Sequence, residues 1–103
     1  MSKDPQITAT VKEILDLIKG ISPGKSVELR VPPYGAIQCV AGSNHRRGTP
    51  PNTVEMSGQT LVRLINEPGL WSTFCESGEI RASGSLSDLS NLFAQAAVEY
   101  RAL

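Results

Sequence analysis

Four short stretches of this chain alternate apolar residues with charged or polar ones, and this alternation constrains the fold more than any other feature. In residues 26–31, Val27, Leu29 and Val31 fall on one side while Glu28 and Arg30 fall on the other. Residues 36–40, 54–57 and 79–82 repeat the pattern, with Gln38, Glu55, Glu79 and Arg81 on their polar sides. Side chains of a strand point to opposite faces with a period of two, so each stretch reads as a strand with one dry face. A mixed-charge face suits water, and opposite charges on it can pair across strands. A doubly wound α/β sheet, covered on both sides, would need strands apolar on both faces, and these are not.

The dry faces need cover, and helices supply it. Ile7, Val11, Ile14, Leu15 and Ile18 form one apolar stripe with helical spacing. Lys12, Glu13, Asp16 and Lys19 fall mostly elsewhere on the wheel. Asp4-Pro5 is a start signal for this helix, Thr10-x-x-Glu13 is a second one, and Gly20 is a stop. Ser57 caps a second helix bearing Leu61, Leu64 and Ile65, closed by Asn66-Glu-Pro68-Gly69. A short third helix carries Leu70, Trp71, Phe74 and Cys75 and ends at Gly78. Ser85-x-x-Asp88 then reads as a capping box for a last helix presenting Leu89, Leu92, Phe93, Ala96, Ala97 and Tyr100. The expected fold is therefore α+β in two layers: a mainly antiparallel sheet of four to five strands with helices on one face.

At 103 residues the chain fits one domain, 1–103, with one core. Hydrophobic residues at 40% and charged residues at 19% are globular rather than disordered proportions. Ten basic residues balance ten acidic ones, which argues against nucleic acid or an anionic membrane as the main partner. The polar start has no signal-peptide pattern, and no apolar run reaches the roughly 18 residues needed to span a bilayer. Cys39 and Cys75 stand apart inside apolar stretches, so both read as reduced core residues, and a cytoplasmic setting is expected.

Between the second and third strands lies a basic stretch bounded by glycine and proline, residues 41–53, containing His45, Arg46 and Arg47. A patternless stretch this long inside a small domain usually binds something or moves. Arginine forks bind carboxylate or phosphate, and Gly42 and Gly48 let backbone N–H groups approach an anion. The plain alternative is a solvated loop whose charges offset nearby glutamates. His45 is the single histidine and its neighbours are cationic, which lowers its pKa rather than making it a strong base. No catalytic constellation, metal-ligand spacing or glycine-rich phosphate loop is present, so no enzyme activity, metal or cofactor is expected.

Two segments here carry a family likeness. The run Val31-Pro-Pro-Tyr-Gly-Ala-Ile-Gln38, then His45-Arg-Arg-Gly-Thr-Pro-Pro-Asn52 and Val54-Glu55, resembles short actinobacterial sterol-carrier-like proteins. It is also similar to the C-terminal domain of mycothiol-dependent maleylpyruvate isomerase relatives. Leu70-Trp71, residues 77–84 and Asp88-Leu89 fit the same pattern, so the resemblance covers about residues 26–89. It implies a sheet-and-helix shell around an apolar cavity that, in sterol carriers, holds acyl chains or sterols. Typical short relatives end soon after the Asp-Leu pair. Here the chain continues to Tyr100, a segment placed either to fill the cavity or to pack on a second subunit.

From residues and resemblance together, the leading expectation is a non-catalytic binding module for a small apolar or amphipathic, lipid-like ligand. Ile37, Cys39, Met56, Trp71, Phe74, Leu89, Phe93 and Ala96 would line its cavity, with His45, Arg46 and Arg47 as polar rim. The same apolar set can equally be a solid core. Two alternatives stand beside this reading. One is an accessory domain to a mycothiol-dependent enzyme, binding an anionic thiol or a protein partner through residues 41–53. The other is a structural protein with a filled core that forms a homodimer through its C-terminal helix.

Overall fold

The alternation in Val27–Val31 becomes strand β1, in the interior of the sheet, with Val27, Leu29 and Val31 fully buried. The computed structural model describes residues 3–42 and 52–103. In chain order the elements are α1 (Thr8–Ile21), β1, β2 (Gly35–Cys39), β3 (Asn52–Met56), α2 (Gly58–Asn66), a 3-10 turn (Pro68–Leu70) running into α3 (Trp71–Ser77), β4 (Ile80–Ser83) and α4 (Ser90–Arg101). Among the described residues the sheet has four strands in the order β2-β1-β3-β4.

Two of the three pairings are antiparallel, as expected, but the central one, β1 with β3, is parallel. The connectivity explains it. The Pro32-Pro33-Tyr34 turn sends β2 back along β1, so Cys39 finishes beside Val27. Asn52 begins β3 beside the same Val27 on its other side. A strand that starts where β1 starts, and lies next to it, runs in the same direction.

Some of the local signals end elements where expected, and others are overridden. Ser57 is the N-cap of α2, its Oγ accepting the Thr60 N–H at 3.0 Å, and Gly78 ends α3 in the left-handed region at φ 83°. Gly20, by contrast, lies inside α1, which continues to Ile21. Thr10 also lies inside that helix, so the capping box with Glu13 does not form. Asp4 heads a turn before α1, its carbonyl accepting the Ile7 and Thr8 N–H groups. At α4, Asp88 bonds the Ser90 N–H through its own carboxylate at 2.9 Å, and Ser85 plays no part. The third strand begins at Asn52, two residues ahead of its expected start.

Helices cover one face. α1 buries Val11, Ile14, Leu15 and Ile18, and α4 buries Phe93, Ala96 and Ala97. The outer face carries the Glu28–Arg30 pair and a cross-strand Arg81–Glu55 pair at 2.7 Å.

Candidate functional site

Of the eight residues expected to line a cavity, seven pack into the buried core: Cys39, Met56, Trp71, Phe74, Leu89, Phe93 and Ala96, each 6% exposed or less. The Trp71 and Phe93 ring centroids lie 5.9 Å apart with the planes tilted by 32°. Offset aromatic pairs of this kind add roughly 0.5–1.5 kcal/mol to the area they bury. Arg63 stacks its guanidinium 5.1 Å above the Phe74 ring and covers it from outside. Ile37, the eighth residue, is half-buried and faces a different space.

That space is a half-open groove of about 360 Å³ between α1 and the outer strand β2. Leu15, Ala36 and Ile37 give it an apolar part; Lys3, Thr8, Lys12, Asp16 and Tyr34 give it a polar one. Tyr34 forms one end. Its ring lies against Gly58, where an added Cβ would come within 2.5 Å of it, and its hydroxyl accepts the Asp4 N–H at 2.8 Å. The hairpin turn and the start of α2 thus hold the tyrosine from two sides. The volume is at the small end of the range for ligand pockets, roughly 300–1,000 Å³. A shallower depression beside Arg30, Pro32 and Pro33 shares Gly35 and Ala36 with the groove.

His45, Arg46 and Arg47 lie outside the described residues; the ground on either side of them is described. Val40 has φ 67°, rare for a β-branched residue, with its N–H bonded to Ser22 O and its carbonyl to Ser26 N. Gly24 packs so tightly there that a Cβ would come 2.2 Å from the Val40 oxygen. Asn52 is 3% exposed, donates Nδ2 to Ser26 O at 2.8 Å and accepts the Leu86 N–H at Oδ1 at 2.9 Å. One buried amide therefore ties the starts of β1 and β3 to the segment between β4 and α4.

Nothing in the described residues is arranged for proton transfer or nucleophilic attack. Burial pushes the Cys39 thiol up to about 11, so it stays protonated at neutral pH. Cys75 is also raised, by burial first and then by the nearby Asp88 and Glu76 charges. Asp88 is held below its usual range by its hydrogen bonds to Ser90. Tyr100 is raised by burial and by Glu13. Among the described residues no group of three or more His, Cys, Asp or Glu could hold a metal ion, and no helix is long and apolar enough to cross a membrane.

Sequence reasoning assigned Ile37 to a cavity lining and made no such assignment for Leu15, Lys12 and Tyr34, which share the groove with it. Leu15 read as ordinary core and Lys12 as solvated helix face; only the contact of α1 with an edge strand joins them. Tyr34 had a signal, since it sits in the Pro-Pro-Tyr-Gly turn that carries the family likeness.

Comparison with known proteins gives a consistent picture. A family model described as "bacterial SCP ortholog" matches residues 3–94. No curated protein matches. Among solved structures, the ubiquinone synthesis protein UbiJ-SCP2 aligns at a TM-score of 0.55 and 19% identity, over 98% of this chain and 97% of that one. The sterol carrier protein domain 2 of Helicoverpa armigera aligns at 0.51 and 19% identity, over 95% of each chain. At this identity the likeness concerns the fold.

Proposed function

The chain belongs to the bacterial SCP ortholog family, and from that premise we propose that it binds a small apolar or amphipathic, lipid-like ligand where the helix and sheet layers meet, without catalysing a reaction. The observation that supports this is the groove between α1 and β2, which opens the seam of the two layers at Leu15 and Ile37. An apolar tail lies along these residues, gaining roughly 0.8 kcal/mol for each methylene buried. An acidic head meets the Lys12 and Lys3 ammonium groups at the polar side of the groove. A deeper position would displace Leu29, the fully buried neighbour of Ile37 on β1, so ligands with one slender tail are favoured over a rigid sterol body.

Titration with a fluorescent single-chain fatty acid, alongside mass spectrometry of lipid extracted from the purified protein, tests the reading. Saturable binding weakened about tenfold or more by Ile37→Asp is the expected result, since that loss corresponds to about 1.4 kcal/mol. Lys12→Ala should weaken the fatty acid but not its neutral alcohol. If Arg46→Ala or Arg47→Ala does this instead, the head sits against the basic loop. Absence of both saturable binding and co-purified lipid would sink the proposal.

A further inference from the structure

The groove opens beside a strand edge of an unusual kind. β2 is the outermost strand on its side, and nothing among the described residues pairs with its outer edge. Natural sheets usually guard an edge with charge, proline or a short strand. β4, at the other edge, follows that rule: it is short, carries Arg81 in an ion pair, and has α3 packed beside it. β2 reads Gly-Ala-Ile-Gln-Cys, with neither a charge nor a proline.

The edge also has a defined centre. Ser26 donates its N–H to Val40 O at 3.1 Å. Carrying that alternation along the hairpin turns Gln38 and Ala36 toward β1, and leaves Gly35, Ile37 and Cys39 with N–H and C=O directed outward. Ile37 is the middle of these three.

Helix α1 runs alongside β2 in the same direction. Just before it, the Asp4 N–H reaches the Tyr34 hydroxyl; just after it, Ser22 O receives the Val40 N–H. A helix of this length spans about 21 Å and the strand about 17 Å. The middle of α1, near Ile14, therefore lies level with Ile37. Lys12 and Asp16, both lining the groove, stand two residues to either side of that level.

We propose that a second copy of this chain pairs antiparallel with β2 through a two-fold axis at Ile37, joining the two sheets into one. Symmetry then sets Ile37 against Ile37, Gly35 against Cys39, and the Lys12 of each copy level with the Asp16 of the other. The charges are self-complementary, and this favours a second copy over an unrelated strand. Among the described residues Lys12 and Asp16 form no ion pair. A five-residue edge is well below the ~800 Å² per partner of a standard interface. The exposed side of α1 adds to it, and the association is of the weak, concentration-dependent class.

Light scattering across protein concentrations from about 1 to about 500 µM, a range that brackets weak association, reads the mass directly. The expected result is a shift from monomer to dimer. Lys12→Asp sets like charges against each other and should weaken the dimer about tenfold or more, and the double exchange Lys12→Asp with Asp16→Lys should restore it. Both sites are on the exposed side of α1, so circular dichroism should remain unchanged. A monomer at every concentration overturns the proposal. So does a dimer indifferent to Lys12→Asp, or one lost only with Val98→Asp on the exposed side of α4. None of these outcomes depends on a ligand.

Discussion

The two ends of the helix layer treat the sheet differently. Toward β4, α3 packs beside the strand and α4 lies against α1 and α2, and Trp71, Phe74 and Phe93 are buried in the core, each 6% exposed or less. Over β2, α1 buries Leu15 but stops short of the edge, so Ile37 stays half-covered and a groove of about 360 Å³ remains. Both ends use the same principle of an apolar stripe on an apolar face. What differs is side-chain size: the closed end has aromatic rings, while β2 offers glycine, alanine and one isoleucine. Small side chains on an outer strand leave a gap that no neighbour among the described residues fills.

The contrast breaks most visibly at Phe93. Phe93→Ala should cost about 3–5 kcal/mol in urea unfolding, because the closed end cannot collapse around the lost ring. A small cost accompanied by greater uptake of fatty acid would show instead that the closed end opens readily. Asn52→Ala comes next, at about 2–3 kcal/mol, since it strands the Ser26 carbonyl and the Leu86 N–H. A loss below about 0.5 kcal/mol would mean that water replaces the amide and that this end is looser than its burial indicates.

The third test asks how far the open seam extends under β2, and uses Cys39. The thiol's ordinary pKa of 9.0 is raised to about 11 in the fold. Below about pH 9 both folded and unfolded chains hold the proton, and stability is unaffected. As pH rises toward 11 the unfolded chain ionises first, so stability should fall, by on the order of 2 kcal/mol. Cys39→Ala should abolish that component. An unchanged pH profile in the alanine variant would place the thiol in contact with water, with the groove reaching the end of β2.

Much of the fold was legible because its signals are local. Alternation at Val27, Leu29 and Val31, the Ser57 cap and the Gly78 stop each depend on a few neighbouring residues. The errors arose where a local signal competed with packing. Gly20 tolerates a helix interior because Ile18 and Ile21 on either side are held against the core. Asn52 looked like loop, yet its side chain satisfies two buried backbone groups and so belongs to the sheet. The groove was nearly invisible, since its walls come from α1 and from a hairpin turn distant in the chain.

The sequence by itself determined the two-layer plan, the dry and wet faces of the sheet, and the family, for each is written in periodicity or in contiguous motifs. Tertiary structure decided which apolar residues are solid core and which face a space. It also made the central strand pairing parallel and left β2 with no partner on its outer edge among the described residues. The alternating strands say which face is dry. Only assembly says which strand is outermost, because that depends on how far the layer above it reaches.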